Sequence, residues 1–441
     1  MVELTSTLKE PMKSSGVELR SPELRNAWND IAGDETRIVD DLTRMVEIDT
    51  SFPPGSGYPA FADLMEALFA PLGFEFERVS VPAGLCRTNP NETVLDRVNL
   101  IASRASRLPT CSIYFHVDTV PAGDGWSWPA HAVTREGDRL YGRGTTDMKG
   151  TIAATLAALR AAQAHGIRLH FAPKLLFCTD EEGGLYPGIR FLAERGDIEG
   201  HLLSLNGSAA PRIWAGCFGS VDFRVTLFGR GAHSGEPHRG INAVEEAIPV
   251  LRSLLKLKAT VESRMSTMPA PPHHDGRPLH GLLTIAAVNG GQKGSSVPAQ
   301  VTILVNRRYD PEEDFEAVRK EIEETIHDAV KKTYLCRAEI AVIGHLVPVG
   351  DPFGPHWPRW QAAFGAGFGY APEEFSAWGS STSSDMGFVQ KAGIQEILLG
   401  GLSRPDNNVH APDEFTTLDD LKSLARAILL YVGMDSEKSS I

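Results

Sequence analysis

The chain is poor in cysteine. Its 441 residues include only five, Cys86, Cys111, Cys178, Cys217 and Cys336. They are scattered, odd in number and free of CxxC spacing, so neither a disulfide framework nor a zinc finger is expected. Long apolar runs are also missing. Nothing approaches the roughly 20 consecutive apolar residues that a membrane-spanning helix needs. The first residues, Met1 to Ser15, lack an apolar core behind their basic residues, so no signal peptide is expected and a cytoplasmic protein follows by default. Basic residues are in deficit: 43 Lys and Arg stand against 56 Asp and Glu, a formal charge of −13. Such a surface repels phosphate backbones, and no local basic patch offsets it, so no nucleic-acid partner is expected. What remains is a soluble globular composition, 42% apolar and 22% charged, with 14 histidines. The length suits two domains better than one.

Apolar spacing predicts helices near Glu35–Ile48 and Ala60–Leu72. Beyond them, strands (Ser112–Phe115, Lys174–Cys178, Leu202–Leu205) alternate with helices (Met148–Ala162, Pro187–Glu194). That alternation implies an α/β fold, a mostly parallel sheet flanked by helices. After about Gly216 the order changes. Val221–Phe228, Ala243–Leu257, Leu282–Val288, Val297–Val305, Glu312–Lys332 and Ala338–Ile343 read as β-α-β-β-α-β, a ferredoxin-like unit inserted into the first domain. A strand at Glu396–Leu399 and a helix at Leu418–Val432 return to that domain. The expected division is a loose tail over 1–25, one domain from 26–216 and 345–441, and an inserted domain over 217–344.

Four segments gather acids and histidines at strand ends, where chemistry collects in open α/β sheets. His116 follows the strand Ser112–Phe115 and can ligate a metal through one ring nitrogen. Asp118, on the same side of an extended chain, is expected to accept the other ring N–H and fix the tautomer. Asp147 closes a glycine-rich loop, 142–147, ahead of a helix. Glu181 and Glu182 follow the strand Lys174–Cys178. His410 and Glu414 lie between the last strand and the last helix. Singly each has a bland reading: a hydrogen-bonded histidine, a helix cap, a solvated acidic loop.

Together and in this order, the four segments resemble the zinc aminoacylase and carboxypeptidase family, which includes acetylornithine deacetylase, succinyl-diaminopimelate desuccinylase and glutamate carboxypeptidase. The resemblance covers about residues 35–435. It implies a metallohydrolase of amide bonds, N-acyl or peptide, in a small carboxylate-bearing substrate, with the inserted unit as lid and dimerisation domain. It implies a divalent cofactor, zinc or manganese. His116 would be the terminal histidine of one metal, Asp147 the carboxylate bridging both, Glu182 and His410 the ligands of the second. Glu181 matches the general base, Asp118 the acid behind the metal histidine, and His233 the lid residue that stabilises the tetrahedral intermediate in the partner subunit's site. Asn242 belongs to the same lid segment. Arg308 matches the arginine that binds a substrate carboxylate. Gly400 and Gly401, with the run Ser383-Ser384-Asp385, resemble loops lining the substrate pocket.

Two positions depart from the pattern. Asn206 stands where the family carries an acidic ligand of the His116 metal. An amide oxygen holds a zinc-type ion less firmly and suits a harder ion such as manganese. One tight site (Asp147, Glu182, His410) and a weaker one near His116 are therefore expected. Asp197 or Glu199 is the substitute ligand if the strand register is shifted. Ser296 stands where the family usually has Asn, so the substrate contact there differs. Two other functions stay open: an aminohydrolase of an aromatic acid such as a nitroanthranilate on the same metals, and a binding or regulatory homologue.

Overall fold

The computed structural model describes residues 21–87, 95–183 and 186–434. Its main sheet has six strands in the order Glu75–Ser80, Val98–Ser103, Ala172–Cys178, Thr110–His116, His201–Ser208, Ile397–Ser403. Only Val98–Ser103 runs against the others. The central strands read as almost unbroken apolar runs; Thr110–His116 is buried from its second residue onward. Such runs belong to a sheet covered on both faces. The Ala-rich helix Lys149–Ala164 is buried nearly all round and packs against Leu418–Val432, Glu35–Val46 and Pro22–Gly33. Small alanines allow this close approach of several helices.

The second sheet has four antiparallel strands in the order Leu282–Gly290, Gln300–Tyr309, Gly219–Phe228, Arg337–Leu346. Helices Ala243–Glu262 and Phe315–Val330 pack on one face. Their apolar stripes (Ala247, Val250, Leu254; Val318, Ile322, Ile326) meet Val221, Phe223, Val225 and Leu227 in a hydrophobic core separate from that of the main sheet. This is the ferredoxin-like order read from the sequence.

Several elements differ from the sequence reading. Pro22–Gly33 is a helix, capped by the Ser21 side chain on Leu24 N at 3.0 Å, so the expected tail already turns helical at Pro22. The strands Glu75–Ser80 and Val98–Ser103 and the helix Trp357–Phe368 were not foreseen. Glu75–Ser80 is a mostly exposed edge strand with three charged residues in six, which blurs any alternation. Trp357–Phe368 carries Gly365 and Gly367, which argue against a helix locally. Gly367 is needed there: a Cβ would come within 2.4 Å of Ser423 O on the neighbouring helix. Among the described residues, no helix is long and apolar enough to cross a membrane.

Candidate metal centre

The acids and histidines converge at one end of the main sheet. His116 ends its strand and is fully buried. Its Nε2 lies 2.8 Å from Asp147 Oδ1. The other oxygen of Asp147, Oδ2, lies 3.3 Å from His410 Nε2. Asp147 thus stands between the two histidines. His410 Nε2 also lies 3.0 Å from Glu182 Oε2. Two groups emerge whose ligand atoms lie within 4.8 Å of one another: His116 with Glu181 and Glu182, and Asp147 with Glu182 and His410.

Each loop is held by identifiable contacts. Gly144 has φ +83°, and a Cβ there would sit 2.9 Å from Thr119 Cγ2. This lets the loop turn tightly before Asp147. Glu414 then gathers the loop. One of its oxygens accepts from Arg143 Nη1 at 2.7 Å and Gly144 N at 3.1 Å. The other accepts from Thr146 N at 3.0 Å and Asp147 N at 3.1 Å. Glu414 was only part of a segment in the sequence reading. Its spacing from Asp147, over 260 residues, carries no local signal.

Asp118 differs from expectation. The ring Nδ1 of His116 meets the backbone carbonyl of Asp118 at 3.0 Å, while the carboxylate Oδ1 is 3.8 Å away. The Asp118 side chain instead accepts from Glu182 N at 2.8 Å through Oδ2. A backbone carbonyl fixes a tautomer as well as a carboxylate does, so the side chain is free to hold the glutamate turn.

Asn206 also differs. Its amide nitrogen donates to Glu181 Oε1 at 3.1 Å. The amide therefore faces the carboxylate of Glu181. Asp197 pairs with Arg195 at 2.8 Å and Glu199 with Lys174 at 2.5 Å, both before the start of the strand that carries Asn206 near its end. Neither replaces it.

The remaining sequence candidates are placed as follows. His233 and Ser296 face each other on a two-stranded ribbon of the inserted unit. Asn242 caps the helix Ala243–Glu262, accepting from Val244 N at 3.1 Å. His233 is exposed, with Nδ1 accepting from Gly235 N at 3.0 Å, and among the described residues it makes no hydrogen bond to the metal cluster. Arg308 does bridge to the first domain, donating to Ser383 Oγ at 3.0 Å and Ser381 O at 3.3 Å. Gly400 and Gly401 lie inside the strand Ile397–Ser403. A Cβ on Gly401 would come 2.1 Å from Gly207 O, and one on Gly400 2.6 Å from the Trp360 ring. Close packing by itself requires both glycines.

Charge is densely packed here. Burial pushes the Glu181 carboxyl up to about 8, with Asp147, Glu182 and Asp118 adding to the rise and His116 opposing it. Burial raises Asp118 to about 6 against the pull of His116. Asp385, at the start of the helix Met386–Lys391, is raised by burial and by Glu181 and Asp118. Burial acts on Asp147 too, but His116 and His410 outweigh it and hold Asp147 below the usual carboxylate range. Hydrogen bonds to Asp147 and Glu182 lift His410 to about 10. Asp118 Oδ1 and Asp385 Oδ2 are buried with no hydrogen-bond partner. Converging acceptors, orphaned oxygens and two imidazoles are a donor set that calls for a divalent cation with nitrogen and oxygen preference.

A family model described as Peptidase family M20/M25/M40 matches residues 112–433. The chain belongs to this peptidase family. Similar curated proteins include a probable succinyl-diaminopimelate desuccinylase of Staphylococcus epidermidis, 30% identical over 259 residues, covering 54% of this chain and 63% of that protein. The succinyl-diaminopimelate desuccinylase of Acidiphilium cryptum is 29% identical over 337 residues, covering 74% of this chain and 83% of that protein. The chain thus spans about three-fifths of the length of the staphylococcal relatives. Among solved structures, the di-peptidase Dug1p of Saccharomyces cerevisiae shares the fold with a TM-score of 0.72 at 18% identity, covering 92% of this chain and 98% of its own. The metallo-carboxypeptidase Sso-CP2 of Sulfolobus solfataricus has a TM-score of 0.73 at 17% identity, covering 89% and 98%.

Proposed function

We propose that the chain is a metal-dependent hydrolase that cleaves the amide C–N bond of a small, carboxylate-bearing N-acyl amino acid or peptide. One observation carries this reading: two ligand groups share Glu182, and Glu181, a member of the first, has its carboxyl near 8. His116, Asp147, Glu182 and His410 would hold the metal, zinc or manganese. A divalent ion held there acidifies a water and polarises the scissile carbonyl.

Glu181 is the general base. A carboxyl poised near neutrality can take a proton from the attacking water and return it to the leaving nitrogen. Asn206 donates to one Glu181 oxygen, which leaves the other for that proton. Arg308, whose Nη1 is tied to Ser381 and Ser383, offers its remaining donors to a substrate carboxylate. The desuccinylase relatives favour an N-succinyl amino acid as the first substrate to try.

The metal sites are unequal in this reading. Asp147, Glu182 and His410 form the tight one. Near His116, Asn206 brings an amide where a second charge would strengthen binding, so that site is weaker. Two equally tight zinc ions per chain, counted on protein purified without chelator, would refute this.

A homodimer completes the reading. Helix Ala243–Glu262 exposes Val244, Ile248 and Leu255 at 37, 47 and 55%, and the neighbouring edge strand Leu282–Gly290 exposes Val288 at 45%. An apolar stripe beside an unpaired strand edge suits a second copy of the same surface. The partner's lid would then supply His233 as an oxyanion donor.

The test is a panel of N-succinyl and N-acetyl amino acids and dipeptides, with zinc or manganese added after chelation. Hydrolysis should be lost on chelation, return with metal, and vanish in Glu181→Ala while metal binding survives. A Glu181→Ala enzyme that turns over normally would sink the mechanism.

A further inference from the structure

The turn carrying both glutamates is fastened by residues with no assigned role. The strand Ala172–Cys178 ends two residues before Asp180. Asp180 is buried and has φ +62°, in the left-handed region that Asp and Asn enter more readily than other residues with a side chain, though still at some cost. Something must hold it there. Its Oδ1 accepts from Tyr58 Oη at 2.8 Å and its Oδ2 from Arg97 Nε at 2.6 Å. Arg97 is itself 7% exposed, with its guanidinium 5.1 Å from the Phe52 ring centre and 5.5 Å from that of Tyr58. Arg97 belongs to the segment entering Val98–Ser103, and Asn99 on that strand accepts from Thr179 N at 3.0 Å. On the far side of the turn, Glu182 N is tied to Asp118. Glu181 lies between the two fastenings.

We propose that Tyr58, Arg97 and Asp180 form a bracket that aims Glu181 and Glu182 into the site. They are positioning residues. The bracket converts an otherwise strained turn into a rigid one, because a buried ion pair with a hydroxyl on its other oxygen admits one arrangement. Small displacements of catalytic and ligand carboxylates are costly in rate. Residues behind the ligands typically change metal affinity or activity by roughly 10–100-fold. The metal readout below rests on the hydrolase reading; the geometric readout does not.

The experiment compares wild type with Tyr58→Phe, Asp180→Asn and Arg97→Lys. Tyr58→Phe removes one hydroxyl and keeps the ring beneath Arg97, so it decides the matter should either of the others fail to fold. Zinc affinity is read by competition with a chromophoric chelator, kcat and KM on the substrate found above, and carboxylate positions by crystallography. Tyr58→Phe should bind zinc roughly 10-fold more weakly, lose kcat with KM little changed, and show displaced Glu181 and Glu182 carboxylates. Arg97→Lys, which keeps the charge and loses the planar fork, should fall between it and wild type. A Tyr58→Phe protein with a lowered Tm but unchanged zinc affinity and carboxylate positions would reduce the bracket to a stability element and overturn the proposal. If wild type itself binds no divalent ion, the hydrolase reading fails, and the crystallographic comparison alone upholds or overturns the bracket.

Discussion

Glu414→Gln is the sharpest perturbation of the loop that carries Asp147. The side chain is 1% exposed and accepts four hydrogen bonds, two on each oxygen. Every partner is a donor. Glutamine keeps the shape, but in either orientation its NH2 meets two N–H groups head-on. Two of the four bonds are lost. Arg143, 2% exposed, also loses its carboxylate and keeps only a 3.4 Å contact to Ala122 O and the Trp126 ring at 5.0 Å. A hydrogen bond to a charged group contributes about 1.5–3 kcal/mol. Removing one partner of a buried ion pair costs about 3–5 kcal/mol. The two figures describe overlapping losses, so the expected destabilisation is about 3–5 kcal/mol, a large share of the roughly 5–15 kcal/mol that holds a typical protein folded. Guanidinium denaturation in excess EDTA measures it free of metal binding. A loss under about 1 kcal/mol, with metal affinity unchanged, would refute the role given to Glu414.

The metal site's contribution to metal-free stability should fall as pH rises from 5 to 9. In the fold Glu181 titrates near 8 and Asp118 near 6, against roughly 4 in an unfolded chain. The native state therefore holds more protons through that window, and stability declines with pH. His410, lifted to about 10, acts in the same direction: its contribution is full below about 6.5 and is lost as pH rises through 10. Burial holds Lys149, His201 and His345 low, which adds an opposite slope. The site's share is therefore read with EDTA as the difference in midpoint trend between wild type and Glu181→Gln, and no difference would contradict the site electrostatics. Metal affinity should rise with pH instead, because the ligands must shed protons. Gly401→Ala should cost about 3 kcal/mol, the upper end for overpacking, since its Cβ would meet Gly207 backbone that cannot swing away; urea midpoints check it. Leu255→Glu combined with Ile248→Glu should convert the proposed dimer to monomer in sedimentation velocity; a wild type that sediments as a monomer would refute the dimer, and a dimer unchanged by the two substitutions would refute this interface.

Periodicity and punctuation sufficed for much of the architecture. Leu418–Val432 was read to the residue because a clean apolar stripe begins behind Thr417, whose hydroxyl accepts from Asp420 N. The β-α-β-β-α-β order of the inserted unit is legible because the central strands Gly219–Phe228 and Gln300–Tyr309 and both helices each bury one regular face. Four short segments are enough to single out candidate ligands, since histidines and carboxylates at strand ends announce themselves by type.

Contacts across long sequence separations could not be read this way. That Asp118 serves Glu182, that Asn206 presents its nitrogen to Glu181, and that Glu414 clamps the Asp147 loop are facts of side-chain direction. That Gly400 packs on Trp360 and Gly401 on Gly207, leaving no room for a Cβ at either, is likewise invisible in the sequence. Tyr58, Arg97 and Asp180 come from three separate parts of the chain and meet only when the sheet forms. Composition and spacing determine which groups are available and which element carries each, because those are local properties of the chain. Which atom of each group faces the site is decided by packing between elements distant in sequence, and only the tertiary structure holds that information.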